Sequence, residues 1–138
     1  RYEEARALQE RAIVIGEKIW GPSHSQFGLL LHARGATAAE MGDLELAERD
    51  LLRAVHIYEQ HGYSVFQPSA LHTLAQVSAR LGKAEPALDF LSRALAEGYE
   101  PSGSEPAFTD DPQLASLRAH PRFRALASVA QPTGKKRG

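Results

Sequence analysis

The chain has 138 residues, 43% of them hydrophobic and 24% charged, with a formal charge of −1 and no cysteine. That is about one domain's worth of ordinary globular composition, without the global positive charge that draws a protein to nucleic acid or anionic lipid. The absent cysteines exclude disulfides and thiolate catalysis and give no reason to invoke an oxidising compartment.

No apolar run approaches the ~18 residues of a membrane span, the longest candidate being Phe27–Leu31. The opening RYEEARALQE is already polar and helical rather than a signal peptide. A soluble, cytoplasmic protein is expected. Because the chain begins with Arg1 rather than Met, it is read as part of a longer protein.

Residues 1 to about 20 read as one amphipathic helix, with Tyr2, Ala5, Leu8, Ala12, Ile15 and Ile19 recurring at threes and fours among charged residues. Gly21-Pro22-Ser23 ends it, and either Ser23 or Ser25 is placed to cap the next helix. A hairpin follows: a helix from about Ser25 to Met41, a Gly42-Asp43 turn, and a helix from about Leu44 to Gln60 stopped by His61-Gly62-Tyr63. A second hairpin starts near Pro68, a residue tolerated in a first helical turn, breaks at Gly82, and runs through Pro86 to Glu97-Gly98. Residues 99–109 read as loop, rich in Pro, Gly and Ser. Asp110 or Asp111 then caps a short helix from Pro112, Pro121 starts a last one carrying Phe123, Leu126 and Val129, and Gln131–Gly138 reads as a frayed tail.

These elements repeat. The strings EEARALQERAIVI, ELAERDLLRAVHI and EPALDFLSRALAE align without a gap, with Ala5, Ala47 and Ala87 standing 42 and 40 residues apart. A helical period of 20–50 residues indicates stacked hairpins, none of which buries its apolar face alone.

The repeat resembles the tetratricopeptide repeat family. Ala47, Leu51 and Ala54, then Ala87, Leu91 and Ala94, match the small–bulky–small positions of its second helix. Gly35 and Ala75 match the small position of the first helix, and Leu31 and Leu71 its leading apolar position. The longer spacing is similar to the kinesin-light-chain-like subclass, whose pattern Glu4-Ala5, Leu8, Arg11-Ala12-Ile13, Ile15, Glu17, Gly21 and His24 fit. The ending DPQLASLRAHPRFRAL resembles the tail of bacterial repeat proteins, including some fused to kinases. Three residues or regions depart from the pattern. Gln9 replaces a bulky apolar residue, Arg34 a leucine, and the first unit lacks its first helix.

The resemblance implies an all-α, right-handed α-solenoid of antiparallel hairpins over residues 1–98, a helical cap over 99–130 and a flexible tail over 131–138. It implies a concave groove lined by the first helices, at the stripe His32, Ala36, Glu40 in one unit and His72, Gln76, Arg80 in the next. Spacings of four and eight put each trio on one helix face. A peptide or partner protein is the expected ligand, in the C-terminal part of a bacterial multidomain regulatory or signalling protein. The alternative is self-association, in which the first helix completes its hairpin with another chain.

The clamp that holds chaperone tails in this family needs a lysine and an asparagine, and His32, His72, Ala36 and Gln76 stand there instead. His56 and His61, five apart, fall about 140° apart on a helix, which is not metal-ligand spacing. No phosphate loop, nucleophile elbow or supported triad appears. No enzyme activity, cofactor, metal, membrane or nucleic-acid partner is expected. Lys135-Lys136-Arg137 reads as a solubilising end.

Overall fold

The computed structural model describes residues 1–62 and 64–130. Tyr63, read above as part of a helix stop, and the tail at 131–138 lie outside them. Helix accounts for 77% of the structure, without a strand among the described residues. The helices are α1 (Tyr2–Trp20), α2 (Ser25–Met41), α3 (Leu44–Gln60), α4 (Gln67–Arg80), α5 (Ala84–Ala96) and α6 (Pro121–Ala130). Two 3-10 segments, Phe108–Asp110 and Pro112–Leu117, stand between α5 and α6. The second of these is where a short α-helix is expected from sequence; the first falls in a stretch read as loop.

The turns have local causes. Gly42 takes φ 85°, a left-handed conformation that costs a residue with a Cβ, and returns its N–H to Ala38 and Ala39. Asp43 then accepts from the N–H of Leu46 and caps α3. The cap of α2 is neither Ser23 nor Ser25. It is His24, whose Nδ1 accepts from Gln26 N–H at 3.1 Å while its ring stacks on Trp20. Of the two candidate aspartates, Asp111 caps the second 3-10 segment, at 2.9 Å from Gln113 N–H.

Consecutive helices pack against one another from α1 to α5, and α2 also meets α4. This is a tetratricopeptide-like helical solenoid, in which the first helices α2 and α4 of the two hairpins meet. Alanine and glycine set the helix spacing. Ala47, Ala54, Ala87 and Ala94 are fully buried, as are the bulky Leu51 and Leu91 between them. A Cβ added to Gly35 would stand 2.8 Å from Leu51 Cγ and 3.3 Å from Ala47 O. The absent side chain therefore lets α2 and α3 touch along their backbones. Beside it, Arg34 makes a two-pronged contact with Asp50, Nε to Oδ2 at 2.5 Å and Nη2 to Oδ1 at 2.9 Å.

Beyond α5 the chain folds back to seal the last repeat. Leu114, Leu117, Phe108 and Phe123 join Ala75, Ala87, Leu88 and Leu91 in one apolar cluster. Arg122 bridges Glu85 and Asp89, and His120 also meets Glu85, which ties α6 to α5.

Candidate functional site

The inner faces of α2 and α4 and the segment 97–113 enclose an open cleft of about 1160 Å³. Five of the six stripe residues line it: Ala36 and Glu40 from α2, and His72, Gln76 and Arg80 from α4. His32 does not. One turn up α2, its Nδ1 lies 3.0 Å from the Tyr58 hydroxyl of α3, so it serves the hairpin contact instead.

The other wall comes from residues without counterparts in the repeats. Tyr99 lies flat on the His72 ring, with centroids 4.0 Å apart and planes within 9°. Asp111 Oδ2 accepts from Gln76 Nε2 at 2.7 Å and stands 3.8 Å from His72 Nε2. Arg80 donates to Ala39 O at 3.0 Å and to the side chain of Gln113 at 3.2 Å. Glu105 takes the Tyr99 hydroxyl at 3.0 Å and so folds the 99–105 loop over the cleft. The stripe of α4 is thus half covered by the chain's own C-terminal segment, while that of α2 is open to it only through Arg80. Comparing repeats with one another could not find Tyr99, Glu105 or Asp111.

Burial dominates the titration of both stripe histidines. The His32 ring is held below the ordinary range by desolvation, as is that of His72, although Asp111 and Glu105 pull the latter the other way. The Tyr58 hydroxyl, desolvated beside His32, is pushed up to about 12. Each histidine therefore binds a proton less readily in the folded chain than unfolded, where the value is about 6.5. Below that pH the unfolded state takes up protons that the fold refuses, so stability is full above pH ~6.5 and is lost as pH falls toward the depressed values. Urea midpoints should drop over that window and flatten in His32→Gln with His72→Gln. Histidine ring shifts in NMR should report both groups titrating below 6.5.

A second surface feature lies on α1. The residues it turns inward are Ile13 and Gly16, with Gln9 bonded to Thr37. Leu8, Ile15 and Ile19 are 63%, 54% and 68% exposed. Ile57, 42 residues after Ile15, is only 3% exposed because α2 covers it at Gly28. The exposed stripe of α1 is the face that a first helix of its own hairpin would cover.

Among the described residues no group of three or more potential ligands could hold a metal, and no helix is long and apolar enough to cross a membrane. The helices thus form a tetratricopeptide-like solenoid with a half-closed inner cleft. Residues 1–26, which span α1 and the turn into α2, match the tetratricopeptide repeat family. No curated protein matches the chain.

Proposed function

We propose that this chain is a protein-interaction module that holds a segment of a partner in the concave cleft between α2, α4 and residues 97–113. The observation that carries the reading is the cleft itself. At about 1160 Å³ it exceeds the 300–1,000 Å³ of small-molecule pockets. Its walls carry polar groups at helical spacing rather than a catalytic constellation. The match at residues 1–26 supports an interaction role, and the spacing of 40–42 residues supports the kinesin-light-chain-like subclass. The ending resembles bacterial regulatory proteins, which supports reading 1–98 as the binding array and 99–130 as its cap within a larger protein.

A photo-crosslinker placed at Ala36 or Thr73 should capture the same partner, and one at Arg49, on α3, should not. His72→Ala with Arg80→Ala should reduce capture about tenfold, the scale of losing one or two buried polar contacts, without altering oligomeric state. The exposed Leu8, Ile15 and Ile19 favour a second reading, self-association through α1. Under it, Leu8→Glu with Ile15→Glu converts an oligomer to monomer in sedimentation, and the cleft changes do nothing. Capture that survives the His72/Arg80 change decides against the cleft.

A further inference from the structure

The formal charge of −1 for the whole chain conceals an uneven distribution. Five carboxylates line the cleft, Glu40, Glu97, Glu100, Glu105 and Asp111, against the one guanidinium of Arg80, a formal −4. The remaining charges of the chain sum to +3, all of it from Lys135, Lys136 and Arg137. Arg80 offsets one of the five charges, and its hydrogen bonds go to the uncharged oxygens of Ala39 and Gln113 rather than to a carboxylate. Of the five, Glu97 has a lysine or arginine within salt-bridge distance, Arg93 at 3.8 Å. Glu105 and Asp111 are met by neutral donors: Tyr99 and Ser102 N–H for the first, Gln76 and Gln113 N–H for the second.

Two further observations mark the cleft as built to receive a ligand. His72 is 8% exposed and forms part of the wall, yet no hydrogen bond of its ring is found among the described residues, Asp111 Oδ2 standing 3.8 Å from its Nε2. Glu97 Oε1 is likewise buried without a donor. Buried polar groups are as a rule satisfied, and the Glu97 oxygen is an exception beside a carboxylate-lined hollow that the His72 ring also lines. The field is felt by the neighbouring phenols. Glu40 raises the Tyr2 hydroxyl, and burial followed by Glu105 raises that of Tyr99. A concave surface with a net negative lining concentrates its potential, and a carboxylate-bearing segment entering here would meet like charge on α2 and along residues 97–111.

Resting on the cleft reading above, we infer that the cleft selects a partner segment carrying lysine or arginine side chains, a basic peptide supplied by another protein. Its cationic heads would lie among Glu40, Glu100 and Glu105, where charge-assisted hydrogen bonds are stronger than neutral ones. The polar stripe of α4 would accompany the peptide backbone.

The test is fluorescence anisotropy of the full chain with three short labelled peptides of equal length, one rich in Lys and Arg, one rich in Glu, one neutral. The basic peptide should bind, and binding should weaken as salt rises. Glu40→Lys with Glu100→Lys should weaken it about tenfold or more. Neither residue holds the C-terminal segment in place. Glu17→Lys with Glu45→Lys, the same charge change away from the cleft, should leave it unaltered. Equal loss in both double variants means diffuse attraction and overturns the assignment, as does preference for the neutral or acidic peptide. If Lys135→Ala, Lys136→Ala and Arg137→Ala together raise basic-peptide affinity, the chain's own end is the occupant, and the assignment to a separate partner falls. A partner that crosslinks at Ala36 through an acidic segment would sink the charge inference and leave the cleft reading standing. Crosslinking at Arg49 alone would sink both.

Discussion

Arg34→Leu should destabilise the chain by about 3–5 kcal/mol in urea denaturation, the cost of stranding one partner of a buried ion pair. Asp50 is 1% exposed, and both its oxygens are engaged by the Arg34 guanidinium. Leucine at 34 removes both donors at once and leaves a carboxylate with nothing to replace its lost water. The third repeat shows how the same position is otherwise filled. Forty residues on, Leu74 and Phe90 occupy the register positions of Arg34 and Asp50. Adding Asp50→Phe to Arg34→Leu should therefore recover most of the loss, since apolar replacement of a whole buried pair is often neutral or better. A single Arg34→Leu within about 1 kcal/mol of the parent would show that water already solvates Asp50, and the pair would lose its structural role.

Leu51→Ala and Leu91→Ala should each cost about 2–5 kcal/mol, the range for deleting a buried leucine side chain whose surroundings relax only in part. Both are completely buried between the small residues of their helices. Neighbouring backbones already touch at Gly35, so α2 has little room to close on the cavity that Leu51→Ala would open. Leu8→Ala is the contrast, with an expected change within about 0.5 kcal/mol, because Leu8 is 63% exposed. Comparable losses at Leu8 and Leu51 would mean that the face of α1 is covered in solution.

The repeats made most of the fold readable in sequence, for a physical reason. Ala47, Leu51 and Ala54 recur at 87, 91 and 94 because two hairpins solve one packing problem twice. Most helix ends through residue 96 lie at or near a glycine, proline or capping side chain, close to where they were expected. What failed were single-residue decisions between near equivalents. His24 won the cap of α2 because its ring could also stack on Trp20, a contact that no serine offers. The open face of α1 was legible too: the first unit lacks the helix that would cover Leu8, Ile15 and Ile19, and burial in α1 goes instead to Ile13 and Gly16, which face α2. The cleft was half legible. Helical spacing put each trio on one helix face and the family resemblance turned both faces to a groove; Ala36, Glu40, His72, Gln76 and Arg80 line the cleft, and His32 does not. Periodicity carries no information about Tyr99, Glu105 or Asp111, which come from a non-repeating segment and reach the cleft only by folding back across it.

The buried Arg34–Asp50 pair also bears on how the chain avoids assembling wrongly. Near-identical repeats tempt a helix to pair with the wrong neighbour, a characteristic misfolding route of such arrays. Here α2 paired with α5 as a hairpin would set Arg34 against Phe90, and α4 paired with α3 in hairpin register, rather than in its native contact between hairpins, would set Asp50 against Leu74. Each error strands a charge in an apolar contact, a penalty of several kcal/mol that correct pairing avoids. The two hairpins share a shape but hold different keys, and the mismatch proofreads which helices may pair as a hairpin.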